Sequence, residues 1–469
     1  MNVHIRGAAP KTMPVQMQEI EALASRLSGR LVVAKHPDYD SLRSLAHGNW
    51  DHHPLFVARV ANAADVADVI DFVRHKRLPV AVRGGGHSVC GHSGTDGGVV
   101  IDLRDLQGIE VDLDAMTVWA GSGLTTGQLT EVLDRDKVVV GFGDTGSVGV
   151  GGITLGGGLG YMTRKLGLTM DALIGAELVT AMGDILTVTE ASYPDLFWAL
   201  RGGGGNFGVV TRFCYRLHDL PEFTGGPLVL PATAEALAGF VKAAKAAPDE
   251  LSTILLAMPA PPMPFLSPEI VGQTVLIGMI AYAGSIEEAQ LALAPFRALA
   301  EPIADLVRPG PYGMMYLPED PMMKASVSIR TLFKNDLDVA EAGEILRRLE
   351  DCDAPMRMAQ VRVLGGAAGR IPAEATAYAH RDAEMLVGFL AMDGSAADAA
   401  RHDGWAEGCV AAMGGAKRGT YVNFLADEGE DMIRACYPDK TWQRLGRVKR
   451  FYDPGNLFRL NHNVPPTTA

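Results

Sequence analysis

The chain has no run of about 18 consecutive apolar residues, the length a helix needs to cross a bilayer, so no membrane span is expected. Met1 to Gln18 hold no continuous apolar stretch of the kind a secretory leader carries. Cysteine is scarce: there are five, Cys90, Cys214, Cys352, Cys409 and Cys436, and their odd count and scattered spacing suggest neither a disulfide framework nor a zinc site. Basic side chains are outnumbered, 42 against 55 acidic ones, for a net charge of −13. Nucleic acids and anionic membranes are held by clustered cations, so neither is an expected partner. Two phosphate-binding signatures are missing as well: no G-x-G-x-x-G opens a helix, and there is no G-x-x-x-x-G-K-[ST]. Internal repeats and low-complexity tracts are absent. What remains is a cytoplasmic protein of two or three domains, the default for 469 residues of this composition.

What the chain has in quantity is glycine, 54 residues, gathered in three loops. The first is Arg83-Gly84-Gly85-Gly86-His87-Ser88, which follows an apolar run, Leu78 to Val82, that reads as a buried strand. A strand at Leu55 to Ala61 and a helix at Ala64 to Arg77, with Val66, Val69, Ile70 and Val73 at helical spacing, precede it. The loop therefore sits at the carboxyl end of a strand, where open α/β sheets bind ligands. Three glycines strip every Cβ from the turn and let the backbone approach a ligand closely. His87 then presents a near-neutral imidazole on a loop without bulk; the plain alternative is a histidine that only caps the turn.

The second loop runs from Gly143 to Gly160, and eight of the fifteen residues from Gly146 to Gly160 are glycine. Such a stretch can lie flat against a planar ligand and offer backbone donors to a pyrophosphate without any lysine. Helices are expected at Met17 to Leu27, Thr126 to Asp134 and Ser192 to Leu200, the last with Ser192 as N-cap. Strands are expected at Val99 to Leu103, Thr117 to Ala120, and on both sides of a turn at Met182-Gly183-Asp184. The third loop, Gly202 to Gly208, leads directly into a strand at Val209 to Tyr215, which argues against a flexible linker.

Beyond residue 220 the texture changes. Pro221, Pro227 and Pro231 mark a linker. Helices at Thr233 to Ala246, Ile286 to Ala298 (kinked or broken at Pro295) and Leu337 to Leu349 alternate with strands at Gln273 to Tyr282, Ala359 to Leu364 and Leu386 to Met392. This predicts an α+β domain with one large sheet and helices on one side. Met258 to Pro268 reads as a loop, and the methionines and prolines of Met314 to Met323 suggest an apolar pocket wall. In the tail, Tyr421 to Phe424 reads as extended and Lys440 to Phe451 as helical. The polar run through Asn461, His462 and Asn463 is expected to dock on something.

Four ordered stretches, Arg83 to Ser88, Val148 to Gly160, Asp195 to Val210 (DLFWALRGGGGNFGVV) and Tyr452 to Asn463 (YDPGNLFRLNHN), resemble the FAD-linked oxidases of the vanillyl-alcohol-oxidase superfamily, with its PCMH-type FAD-binding domain. Within it they resemble the berberine-bridge-enzyme-like group, near the bacterial 6-hydroxynicotine oxidases, with which the chain shares His380-Arg381-Asp382-Ala383. The resemblance implies a two-part FAD-binding domain, residues 1–220 and 415–469, around an inserted substrate-binding domain, 221–414, built on a large antiparallel sheet. It implies that His87 is bonded to the 8α carbon of FAD, and attachment does need a neutral imidazole on a rigid loop. Relatives with a second link carry a cysteine where Thr145 stands, so a single link is expected. Arg83, Gly84, Gly85, Gly86 and Ser88 are implied cofactor contacts from the first loop. The second loop supplies Gly146, Ser147, Val148, Gly151, Gly152, Gly157 and Gly160, the third Asn206, Gly208 and Val210, and the tail Asn461 and Asn463.

By the same resemblance, a small residue at Val148 leaves room for oxygen beside the flavin, which favours an oxidase over a dehydrogenase. The expected partners are a small organic substrate with a CH–OH or CH–N group, and O2. No metal is expected. An alcohol needs a base for its hydroxyl proton. Tyr421 is the candidate base, Arg362 the cation that would lower its pKa from about 10, and Tyr161 a further candidate facing the substrate; Tyr378 and His380 are weaker ones. An amine needs no strong base. A dehydrogenase with another acceptor, or a flavin-binding protein without turnover, are the alternatives.

Overall fold

The structure is a computed structural model and describes residues 12–317, 324–414 and 419–467. Strands β1 (Arg30–Val33), β2 (Phe56–Arg59), β3 (Val80–Arg83) and β4 (Val99–Asp102) form a sheet in the order β1-β2-β4-β3, with β2 and β3 both parallel to β4. The helix Ala63–Lys76 joins β2 to β3. Asn62 caps its start by accepting from the Asp65 N–H, and Arg77, left-handed at φ 56°, ends it. Its apolar face, Val66, Val69, Ile70 and Val73, is fully buried against the sheet.

A second sheet holds β5 (Ile109–Asp112), β6 (Thr117–Gly121), β8 (Leu173–Val179), β9 (Ile185–Thr189) and β10 (Val209–Arg216), antiparallel in the order β5-β6-β10-β8-β9. A short ribbon pairs β7 (Val138–Val139) with β11 (His218–Asp219).

The third sheet contains β12 (Thr224–Pro231), β13 (Leu251–Pro259), β14 (Thr274–Tyr282), β15 (Ala304–Asp305), β16 (Arg308–Pro309), β17 (Ser326–Lys334), β18 (Met356–Val363) and β19 (Met385–Asp393). Its order is β15-β12-β14-β13-β18-β19-β17, with β16 also on β12, and every pairing is antiparallel. The strand period of two separates its faces. Ala359, Val361, Val363, Val387 and Phe389 pack with side chains of the helices Ala234–Ala246, Ile286–Arg297, Val339–Glu350 and Ala396–Ala412. Met358, Gln360, Arg362, Leu390 and Met392 point the other way, into a cavity. The architecture is thus α+β, with a large antiparallel sheet carrying its helices on one side. Among the described residues no helix is long and apolar enough to cross a membrane.

Several local expectations are corrected. Residues 224–231 are no linker but β12. Pro227 is tolerated there because its carbonyl faces Leu306, in the gap between the short edge strands β15 and β16, where no ladder N–H is required. The helix at 286–297 runs through Pro295, which falls in its last turn. The cap of the helix Pro194–Leu200 is Tyr193, left-handed at φ 61°, rather than Ser192. The glycine run of the second loop contains a helix, Val150–Gly156, and Val422–Phe424 is a helical turn rather than extended. Strands β13 and β17 and the helix Ala396–Ala412 were not foreseen. Of the Met314–Met323 run, residues 318–323 lie outside the described residues. Met315 packs in the core with Tyr312 and Phe223 instead of lining the cavity. The expected boundary at 414/415 adjoins residues 415–418, which lie outside the described residues.

Candidate functional site

The three glycine loops and the tail converge on one cavity of about 520 Å³. β3 delivers the first loop to it. The second loop is fixed from behind: the Thr126 N–H donates to the Val148 carbonyl (2.8 Å), and the Val150 N–H donates to the Leu124 carbonyl (3.0 Å). The two loops touch backbone to backbone, since a Cβ on Gly85 would collide with the nitrogen of Gly149. Only glycine permits that approach.

His87 lines the cavity with its Nε2 2.9 Å from the Ser147 Oγ. Its carbonyl is contacted by His47 Nε2 at 3.3 Å. Gly84, Gly85, Gly86, Ser88, Val148, Gly151, Gly152, Asn206, Gly208, Val210 and Asn461 also line the cavity. Other candidates sit behind it. Arg83 turns its buried guanidinium away, to the carbonyls of Leu42 and Ser44, and burial pulls its pKa down to about 10. Gly146 packs beside Tyr316, Gly157 beside Tyr421 and Gly160 against the Phe142 carbonyl. Asn206 holds the tail: its amide donates to the Gly203 and His462 carbonyls and accepts from the Val464 N–H. Asn461 donates to the Gly205 carbonyl at 3.1 Å, and Asn463 lies next to the cavity-lining His462 without lining the cavity itself.

Tyr421 is buried on the cavity wall. Its oxygen accepts from the Gly158 N–H (2.7 Å) and the Asn423 amide (2.9 Å). Burial pushes its pKa up, outweighing those two hydrogen bonds and the more distant charge of Arg362. Arg362, the expected cation, does pull the Tyr421 pKa down, but burial outweighs it. Arg362 is itself buried, pairs with Asp144 at 2.5 Å, donates to Gln360 at 3.0 Å and stacks over the Phe424 ring. Tyr161 is buried in the core behind the cavity, and burial raises its pKa far above the ordinary range. Tyr378 meets Tyr421 edge to face, and His380 bonds the carbonyls of Ala435 and Cys436; neither lines the cavity. Arg381 makes a two-pronged buried ion pair with Asp171, both contacts at 2.7 Å, so the His380–Ala383 run serves the scaffold.

Sequence reasoning did not single out Asp144, Gln360, Asn423 or His92, all on the cavity wall, and gave His462 only as part of the docking tail. Gln360 was within reach, because it lies two residues from Arg362 on one strand and so shares its face. Asn423 stood inside the Tyr421–Phe424 run already singled out.

The wall suits FAD. A Cβ built on Gly152 or Gly205 meets no atom within 4 Å, so bare backbone is left for a planar group to lie against. The Oδ1 of Asn461, on the cavity wall, is buried without a hydrogen-bond partner among the described residues, and so remains as an acceptor for a ligand.

Residues 54–189 match the FAD binding domain family, and residues 420–465 match the family described as berberine and berberine like. (R)-6-hydroxynicotine oxidase of Paenarthrobacter nicotinovorans is 27% identical over 95% of this chain and 98% of its own length. An uncharacterised FAD-linked oxidoreductase of Bacillus subtilis is 28% identical over 94% and 98%. The crystal structure of 6-hydroxy-D-nicotine oxidase from Arthrobacter nicotinovorans superposes with a TM-score of 0.83 at 26% identity, covering 94% of this chain and 98% of that one. A berberine-bridge-enzyme-like protein of Physcomitrella patens shares the fold at a TM-score of 0.83 and 20% identity, covering 96% of this chain and all of its own. With a glycine-walled cavity made for a flavin, the chain is an FAD-dependent oxidoreductase. Its FAD binding domain and its berberine-like segment make it similar to the berberine-bridge-enzyme-like FAD-linked oxidoreductases.

Proposed function

We propose that the protein is an oxidase that takes a hydride from a CH–N or CH–OH group of a small, largely apolar molecule, with FAD held covalently through His87 alone. In this reading residues 1–220 and 415–469 hold the cofactor and 221–414 hold the substrate. FAD bound in the cavity would accept the hydride and hand the electron pair to O2, which leaves as hydrogen peroxide.

The observation that carries this reading is the pairing of two unlike walls. On one side His87, steadied by Ser147, stands among bare glycine backbone. Across from it Val327, Ile329, Leu390 and Met392 offer an apolar surface to a substrate, with Gln360 and Arg362 as the polar groups that orient it. Thr145 lines the cavity where a cysteinyl link would stand, and its hydroxyl cannot form a thioether. Val148, also on the wall, stands where the family resemblance associates a small residue with reaction with O2.

The state of Tyr421 favours CH–N over CH–OH. Its proton is held tightly by burial, and the Arg362 charge is matched by Asp144. An alcohol would need that proton site emptied first, whereas a neutral amine loses hydride with no base at all. The relative named for 6-hydroxynicotine oxidation is in keeping with this.

The test is aerobic incubation of the purified yellow protein with a panel of cyclic amines, alcohols and sugars, read by a peroxidase-coupled assay. Peroxide is expected with a cyclic amine. Flavin bleaching without air reoxidation would make the protein a dehydrogenase. No bleaching by any compound would leave it a flavin-binding protein without turnover.

A further inference from the structure

We propose that Cys90, His92 and His462 form a binding site for a divalent transition-metal ion of borderline softness, such as Zn(II) or Co(II). The Cys90 sulfur and one ring nitrogen of each histidine lie within 4.8 Å of one another. Cys90 and His92 alternate on the loop that leaves His87, and His462 arrives from the far end of the chain. The two imidazoles meet edge to face, with centroids 4.9 Å apart.

A thiolate with two imidazoles selects zinc or cobalt and excludes magnesium and calcium, which take oxygen ligands. Each imidazole brings one ring nitrogen to the cluster as a ligand atom for an ion. On binding, the Cys90 thiol gives up its proton, because a coordinating thiol is deprotonated outright. The step is M2+ plus Cys–SH giving M–S–Cys plus one proton released to solvent, with no change of oxidation state.

Tetrahedral bonds of about 2.3 Å to sulfur and 2.0–2.1 Å to nitrogen put ligand atoms roughly 3.5 Å apart. Binding thus draws the three side chains together by about an ångström. Since His92 and His462 line the cavity, the fourth position opens towards it. The ion would fasten the tail to the His87 loop. The wide spacing of the ligands in the sequence is what hid the site from a search for zinc motifs.

The experiment is to strip the flavin-loaded protein with EDTA, add CoCl2, and record the difference spectrum, proton release and melting temperature. A single equivalent of cobalt is expected, with a thiolate-to-cobalt charge-transfer band, one proton released and a raised melting temperature. Cys90→Ser abolishes the band. His462→Gln weakens binding by more than the roughly 10–100-fold that an outer partner of a metal site contributes. Flavin content and circular dichroism report whether the variants fold. If they do not, X-ray absorption of the cobalt-loaded wild type decides, with one sulfur and two nitrogen scatterers expected. No uptake, a band unchanged in Cys90→Ser, or an all-oxygen shell overturns the proposal.

Discussion

The Nε2 of His87 and the Oγ of Ser147 lie 2.9 Å apart, although the two residues are 60 positions apart in the chain. The bond orients the imidazole on a loop that has almost no other side chain to do so. A net hydrogen bond of about 1 kcal/mol corresponds to a severalfold change in how often the ring is aligned. Ser147→Ala should keep its total flavin but attach it severalfold more slowly. The check is the flavin divided between pellet and supernatant at intervals after reconstituting the apoprotein.

Tyr421 accepts two hydrogen bonds inside the protein, from the Gly158 N–H and Asn423. Tyr421→Phe leaves the Gly158 N–H buried and unpaired, at a cost of about 1–3 kcal/mol, while the Asn423 amide keeps the Ile153 carbonyl, and the melting temperature should fall. Its kinetic effect separates the two substrate classes. With an amine, kcat should drop less than about tenfold; with an alcohol, loss of a positioned base would cost about 10²–10⁴. Steady-state kinetics on whichever compound responds reads the difference.

Lys449 and Asp453 form an ion pair at 2.7 Å with side chains 0% and 1% exposed. The ammonium also donates to the carbonyls of Asn206 and Phe458, and so ties the third glycine loop to the tail. Lys449→Met strands a buried carboxylate, at a cost of about 3–5 kcal/mol. Thermal melts should show the loss, and the flavin content per purified chain should fall.

His92 and His462 should make the protein acid-labile. Burial lowers both from 6.5 in the folded chain, to about 4 and about 3. The unfolded chain then binds more protons, so this stability is complete above about 6.5 and drains away as pH falls towards those two values. The melting temperature of the protein in EDTA should decline from pH 7 to pH 4. In the double variant His92→Gln, His462→Gln the decline should be shallower, and an equally steep one would contradict the assignment.

The cofactor half of the site was legible because glycine leaves a local signature. Runs such as Gly84–Gly86 and Gly202–Gly205 announce bare backbone wherever they fold. The substrate half was not, because its wall is made of alternate residues on three strands that pair only in the sheet. Val327, Met358 and Leu390 look like any core positions until β17, β18 and β19 are brought side by side. Arg362 stands out in the sequence for its charge, whereas its partner Asp144, 218 residues away, does not. β12 reads as a linker in the sequence because proline counts against a strand, unless its carbonyl faces an interrupted edge, as that of Pro227 does.

The central claim is that one imidazole carries the flavin. Wild-type protein and His87→Ala are precipitated in acid, and the colour of pellet and supernatant is compared. The account predicts a yellow pellet and a clear supernatant for the wild type, and for His87→Ala a colourless pellet with any flavin in solution. Wild-type flavin in the supernatant, or a yellow pellet from His87→Ala, would contradict it.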